Sequence, residues 1–258
     1  MDADPRASAL PNAAPTVPDR DRPTTLLRLP APRLSAESDA PPVSLRFMDT
    51  SHLPFVVSEH RRLFPDGFFA RLGPAFLTAH TRTYLTSPHA TGFVAEVDGG
   101  PVGYVVGIVD PALHRRHLLR AHGAGLALRA SAALAVRPAL TAHFLRTRLP
   151  RYSRKFMSGR RAEALATPQP HSPHGREAVL AHVAVREEYR SFAIGGRLIE
   201  RFADFAVLAG CTRMSLVTAS GPAGAGPYYE QRGWQQRGET HTPDGKHLLV
   251  YARPLDPA

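Results

Sequence analysis

The residues with the most chemical content lie between Val183 and Ile199, where the chain reads Val-Ala-Val-Arg-Glu-Glu-Tyr-Arg-Ser-Phe-Ala-Ile-Gly-Gly-Arg-Leu-Ile. An apolar strand stops there, a short turn follows, and a helix begins at a glycine pair. Ala193, Gly195 and Gly196 are small enough for a ligand to approach the backbone closely. The first amides of a helix have no partner within it, and the helix dipole adds partial positive charge, so such a start is a ready anion site. Arg190 and Arg197 contribute full charges. A pyrophosphate is the natural guest. Other chemistries find less support. The 13 histidines and Cys211 form no His-x-x-x-His or Cys-x-x-Cys spacing, so no metal is expected. Cys211 follows a helix stop and precedes a strand, which reads as burial rather than nucleophilic work.

The elements that must position this turn follow from local pattern. Val43–Phe47 alternates like a strand, and Asp49, Thr50 and Ser51 offer N-caps to a helix ending near Phe64. Phe64-Pro65-Asp66-Gly67 breaks the chain, and one further helix is predicted from Phe68 to Leu85. Asp98-Gly99 between two β-rich runs, from Phe93 and to Val109, predicts a hairpin. Leu118 to Leu149 reads as two or three helices, and Ser158 to Gly175 as a proline-containing loop. Ala178 to Val185 is a strand. Ile194 to Ala209 is a helix with Ile194, Leu198, Phe202 and Phe205 on one face and Gly210 as its stop. Met214–Thr218 and His247–Tyr251 are strands, with a short helix between them ending at Tyr228–Trp234. Strand, helix, strand, helix, strand argues for an α/β sheet with a parallel pair at its centre.

Composition sets the outer bounds. The 258 residues suit one domain, at 43–258, with a disordered proline-rich tail over 1–42, where nine prolines fall. A single cysteine excludes an internal disulfide, and no run approaches 18 apolar residues, so no membrane span is expected. The N-terminus lacks a secretory pattern, and a cytoplasmic location is the expectation. The net charge of +10 is concentrated: residues 111–162 hold twelve Lys or Arg and no Asp or Glu. This basic helical insertion, at about 111–176, attracts an anion, an acidic membrane or an acidic protein partner, unless it is simply a solvated face. Aromatics are sparse in it and no nucleic-acid motif is present, so nucleic acid is not expected.

The turn resembles the acyl-CoA signature of the Gcn5-related N-acetyltransferase (GNAT) family, [Q/R]-x-x-G-x-[G/A], as Arg190-Ser191-Phe192-Ala193-Ile194-Gly195. Alanine at 193 departs from the pattern and would be strained if that position needs a positive φ. Ala184-Val185 before the turn and Tyr189 within it also look like the family. Tyr228-Tyr229-Glu230-Gln231-Arg232-Gly233-Trp234 resembles its aromatic-Tyr-x-x-x-Gly-aromatic segment. The Asn that often precedes that helix is missing, since its place lies near Pro222.

The resemblance implies a GNAT fold, with a mixed sheet, a splayed parallel strand pair and helices on both faces. It implies acetyl-CoA or another acyl-CoA as co-substrate, bound by Val183, Ala184 and Val185 on the strand and by Arg190, Ser191, Phe192, Ala193, Ile194, Gly195 and Gly196 at the turn. The Val183 N–H would hold an oxyanion and Tyr229 would act as general acid. Glu177 shares strand parity with Val183 and Val185 and is one candidate base. His182, re-aimed by a bulge, is another, and a water chain could also serve. The acceptor would be the amine of a small molecule, an amino sugar or a peptide. Two alternatives stand beside this reading. In one an acyl carrier protein presents the acyl chain to a peptide or natural-product amine; in the other the protein is a non-catalytic acyl-CoA or basic-surface binder.

Overall fold

The computed structural model describes residues 42–147, 175–221 and 224–255. Apart from Pro42, the proline-rich tail lies outside them, as do Pro222 and residues 158–174 of the expected loop.

Seven strands form one sheet: β1 (Val43–Phe47), β2 (Ala90–Val97), β3 (Gly100–Ile108), β4 (Arg176–Val185), β5 (Cys211–Ala219), β6 (Gln235–His241) and β7 (His247–Pro254). Their order is β1-β2-β3-β4-β5-β7-β6, and only β4 and β5 run parallel. Helices α1 (Leu53–Leu63), α2 (Phe68–Arg71) and α3 (Pro74–Thr86) connect β1 to β2. Helices α4 (Pro111–His117), α5 (Gly123–Ala135) and α6 (Pro138–Thr147) follow β3, with one π-helical turn, Leu118–His122, between α4 and α5. Helix α7 (Ile194–Leu208) joins β4 to β5, and α8 (Gly226–Glu230) precedes β6. The expected α/β architecture is therefore present, including the helical insertion after the hairpin.

The hairpin turns at Asp98 and Gly99, whose φ values of 50° and 74° are those a two-residue type I′ turn needs. The single helix expected from Phe68 to Leu85 is two. Gly73 takes φ 98° and Pro74 occupies the first turn of α3, so the chain bends where glycine and proline meet. Strand β6 carried no sequence signal because it is an edge strand of mostly exposed polar residues, Gln-Gln-Arg-Gly-Glu-Thr-His.

Two cores sandwich the sheet. On one face α7 buries Ile194, Leu198, Ile199 and Phe202 against Phe93, Val105, Leu180 and Met214. Gly107 leaves the space on β3 that the Phe202 ring fills. Losing that ring would cost about 3–5 kcal/mol, the usual range for a buried aromatic. On the other face Val56 of α1 and Tyr84 of α3 pack on Val94, Tyr104, Val106 and Ala184. A third cluster, Leu72, Phe76, Leu126 and Leu140, fastens the insertion to α2 and α3.

One feature of β4 matters most for the site. It pairs with β5 only from Arg176 to Val179, opposite Cys211 to Ser215. From Leu180 to Val185 it continues on β3 alone, while β5 continues on β7. The parallel pair therefore opens into a V, and the second half of β4 presents an edge that no strand among the described residues covers.

Candidate active site

That bare edge carries free backbone groups. The Arg186 N–H donates to the Val102 carbonyl at 2.8 Å, and Ala184 lies opposite Tyr104. In an antiparallel ladder the residues that exchange bonds alternate with those that face away. Arg186 and Ala184 therefore bond to β3, and the N–H and C=O of Val183 and Val185 point toward the gap left by β5. Arg190 Nε meets the Val185 carbonyl there at 3.4 Å.

At the mouth of the V sits the start of α7. A short 3-10 helix, Glu187–Phe192, leads into Ala193, which caps α7 in the left-handed conformation at φ 55° and ψ 14°. The position does need a positive φ, and alanine holds it at a cost of roughly 1–2 kcal/mol. The first backbone bond of this turn runs from the Arg197 N–H to the Ala193 carbonyl. The amides of Ile194, Gly195 and Gly196 precede it and stay available. Arg197 donates to the Val43 carbonyl at 3.1 Å, so its guanidinium is engaged on β1 rather than at the V between β4 and β5.

Helix α8 forms the opposite wall. A Cβ added at Gly195 would lie 3.3 Å from the Tyr228 hydroxyl, and one at Gly196 would lie 3.8 Å from Arg232 Nε. The Arg232 guanidinium stacks on the Tyr228 ring at 3.8 Å and donates to the Tyr228 carbonyl. Tyr228 and Arg232 thus border the anion site, a role the sequence reading did not give them. The signal was their i, i+4 spacing, which puts ring and guanidinium on one helix face. Tyr229 turns into the core, 7% exposed, edge-on to Trp234 and Tyr228. Burial, then the neighbouring Tyr228, pushes its phenol up to about 12, so it keeps its proton at neutral pH.

The two residues considered as bases part company. A bulge in β4 opposite Val106 and Gly107 makes Ala181 the extra residue. Before the bulge, Ala178 and Leu180 point into the α7 core, as Val183 and Val185 do after it. Glu177 therefore does not share a face with Val183 and Val185; the uninterrupted parity expected from sequence is broken. It lies exposed at the closed end of the V, opposite Arg213. His182 follows the bulge and turns toward α1, edge-on to His60 with ring centroids 4.7 Å apart.

His182 belongs to a chamber on the α1 and α3 face, with His60, His80, Thr81, Tyr84 and Tyr104 among its walls and an internal volume of about 10 Å³. That is about the room one water needs. The chamber is poor in charge. Burial, with His60 and His80 nearby, pushes His182 down to about 3, and burial pushes His80 to about 4 and lowers His60. All three rings are neutral at pH 7. Tyr104 is 1% exposed, and its hydroxyl has no hydrogen-bond partner among the described residues and stays protonated. At the rim Glu59 is buried by Arg62, at 2.7 Å, and Arg186, at 3.9 Å, which ties α1 to the turn after β4. No single segment announces this cluster, because α1, α3, β3 and β4 each supply part of it. Among the described residues no group of His, Cys, Asp or Glu is arranged to hold a metal.

Residues 162–234 match the family model described as the Acetyltransferase (GNAT) family. No curated protein matches the chain at a significant level. Among solved structures, NAA60 of Arabidopsis thaliana in complex with acetyl-CoA aligns over 83% of this chain and 99% of its own, at 12% identity and a TM-score of 0.50. The same protein with a bisubstrate analogue aligns over 84% and 100%, again at 12% identity and 0.50. The ribosomal-protein-S18-alanine N-acetyltransferase of Escherichia coli aligns over 84% and 96%, at 14% identity and 0.46. The NAA60 likeness is one of fold, and the family match covers the strand, turn, helix and aromatic segment that form the V. The chain therefore has the fold of these acetyltransferases, and residues 162–234 are similar to the Acetyltransferase (GNAT) family.

Proposed function

We propose that this chain is an acyl-CoA-dependent N-acyltransferase that joins an acyl group to the amine of a small molecule, amino sugar or peptide by direct attack. The observation that carries the reading is the V between β4 and β5. Its edge offers the Val183 and Val185 backbone, and its mouth is the left-handed start of α7. These residues fit a thioester carrying a diphosphate. The amides of Ile194, Gly195 and Gly196, with Arg190 and Arg232, suit the phosphates. The bare edge suits the amide-bearing arm, which can pair with it as a strand would.

In this reading the amine nitrogen attacks the thioester carbon, and the carbonyl oxygen takes up the negative charge. The Val183 N–H donates to that oxygen. When the C–S bond breaks, the sulfur leaves with its electron pair, and Tyr229 supplies the proton that makes it a thiol. The proton lost by nitrogen passes to His182 and from it through His60 to solvent. The environment that keeps His182 neutral also makes it a weak base, so it accepts that proton on one ring nitrogen as it releases its own from the other and keeps no net charge. Glu177, exposed at the closed end, is the weaker choice.

The test is release of free thiol from acetyl-CoA and longer acyl-CoAs with a panel of amines. Amine-dependent release, with the acylated amine identified by mass spectrometry, is the expected result. Saturable acyl-CoA binding with no thiol release for any amine would leave a non-catalytic binder and remove the enzyme reading.

A further inference from the structure

We propose that the helical insertion from Pro111 to Thr147 is a docking face for an anionic lipid surface. It is independent of the acyl-transfer reading and starts from the composition of α5. That helix reads Gly-Ala-Gly-Leu-Ala-Leu-Arg-Ala-Ser-Ala-Ala-Leu-Ala, with Arg129 its one charge. Leu126, Ala130, Ala133 and Leu134 pack inward with Leu72 and Phe76. At helical spacing the opposite side is Ala124, Leu128, Ala132 and Ala135, and all four are exposed. A surface helix normally turns polar residues outward. This one is apolar on both sides, and Leu128 and Val136 are 71% and 73% exposed.

The flanking elements repeat the pattern. Leu113, Leu119 and Leu145 are exposed on α4, the π turn and α6. Between them stand Arg115, Arg116, Arg120, Arg129, Arg137 and Arg146, all exposed. Among the described residues none of the six has an ion pair with a carboxylate. Arg129 and Arg137 donate instead to carbonyls of their own helix, those of Gly125 and Ala133, each at 3.0 Å. Exposed leucines set among unpaired arginines are the composition of a segment that lies in a membrane interface. Among the described residues no helix is long and apolar enough to cross a membrane, so the contact is a surface one.

Other occupants fit less well. A symmetric second copy would set arginine against arginine with no acid to separate them. A nucleic acid would meet leucine and alanine on α5 and no stacking platform, because the one aromatic of this segment, Phe144, stacks on Phe68. Anionic lipid answers both halves of the surface, with headgroups for the guanidiniums and an acyl boundary for the leucines.

The test is flotation of the full chain with vesicles of phosphatidylcholine alone and of phosphatidylcholine with about one-third phosphatidylserine. Binding to the anionic vesicles that weakens with added salt is expected. The double variant Leu128→Glu, Val136→Glu should lower it about tenfold or more, with the melting temperature unchanged because neither side chain is buried. Failure to bind anionic vesicles at low salt, equal binding to neutral ones, or full binding by the double variant overturns the proposal. So does a dimer that the double variant abolishes, or capture of an acidic carrier protein with no vesicle binding.

Discussion

The two sides of β4 are built from opposite materials. Its edge toward β5 opens on a polar, cationic cleft bordered by the backbone of Val183 and Val185, the small residues at the start of α7, and Arg190 and Arg232. Its face toward α1 and α3 is a small chamber of neutral imidazoles and phenols, His60, His80, His182, Tyr84 and Tyr104. Alternation along the strand puts His182 on this second face, while the backbone of Val183 and Val185 keeps to the edge, and the bulge at Ala181 turns Glu177 away from the face that carries Val183 and Val185. In the proposed reaction one strand would bind charge along its edge and relay a proton across its face, so that the two halves of the transfer take place in environments of different polarity.

The difference can be broken first at the edge. Gly195→Glu puts a carboxylate into the anion site beside the Tyr228 hydroxyl, and acetyl-CoA affinity should fall by about a hundredfold or more, while circular dichroism and melting stay near wild type. Tyr229→Phe keeps the packing against Trp234 and removes the phenol. Turnover should drop about a hundredfold, with acyl-CoA affinity barely changed in calorimetry. Unchanged turnover would mean that water protonates the sulfur.

The chamber gives a smaller effect and a distinct signature. His182→Asn should lower kcat/KM about tenfold and leave acyl-CoA affinity intact, which separates its role from the edge. The histidines also predict a pH dependence of stability. His182 and His80 fall to about 3 and 4 in the folded chain, against 6.5 when unfolded. The unfolded chain therefore binds protons first as pH drops, and stability is lost below about pH 6.5, progressively toward pH 3. Denaturant midpoints measured from pH 7.5 to 4.5 should decline, and less steeply in His182→Asn. A flat profile would show that the chamber is wet. The smallest effect belongs to Ala193→Gly. Relief of the left-handed alanine is partly offset by the freedom glycine gains in the unfolded chain, leaving a net gain of about 0.5 kcal/mol, visible as a raised denaturant midpoint.

How much of this could be read from sequence follows the same division. The edge was legible because it is local. Gly195 and Gly196 after an apolar strand, with Tyr229 and Trp234 further on, mark a strand–turn–helix unit whose chemistry lies in neighbouring backbone groups. Even the strain at Ala193 could be anticipated from its place in the motif. The chamber was not legible, since His60, His80, Tyr104 and His182 come from four elements and no spacing connects them. The bulge at Ala181 has no glycine or proline to announce it, and without it Glu177 would share the face of Val183 and Val185. The break between α2 and α3 was available in Gly73-Pro74, where the apolar period continues across the bend and hid it.

The most direct test of the central claim is calorimetric titration of the wild-type chain with acetyl-CoA and, separately, with acetylpantetheine, which keeps the thioester arm and lacks the diphosphate. If the start of α7 is the anion site and the β4 edge holds the arm, acetyl-CoA binds at a single site and acetylpantetheine binds there about a hundredfold more weakly or not at all. Equal affinity for the two, or no binding of acetyl-CoA or any longer acyl-CoA, would contradict the account.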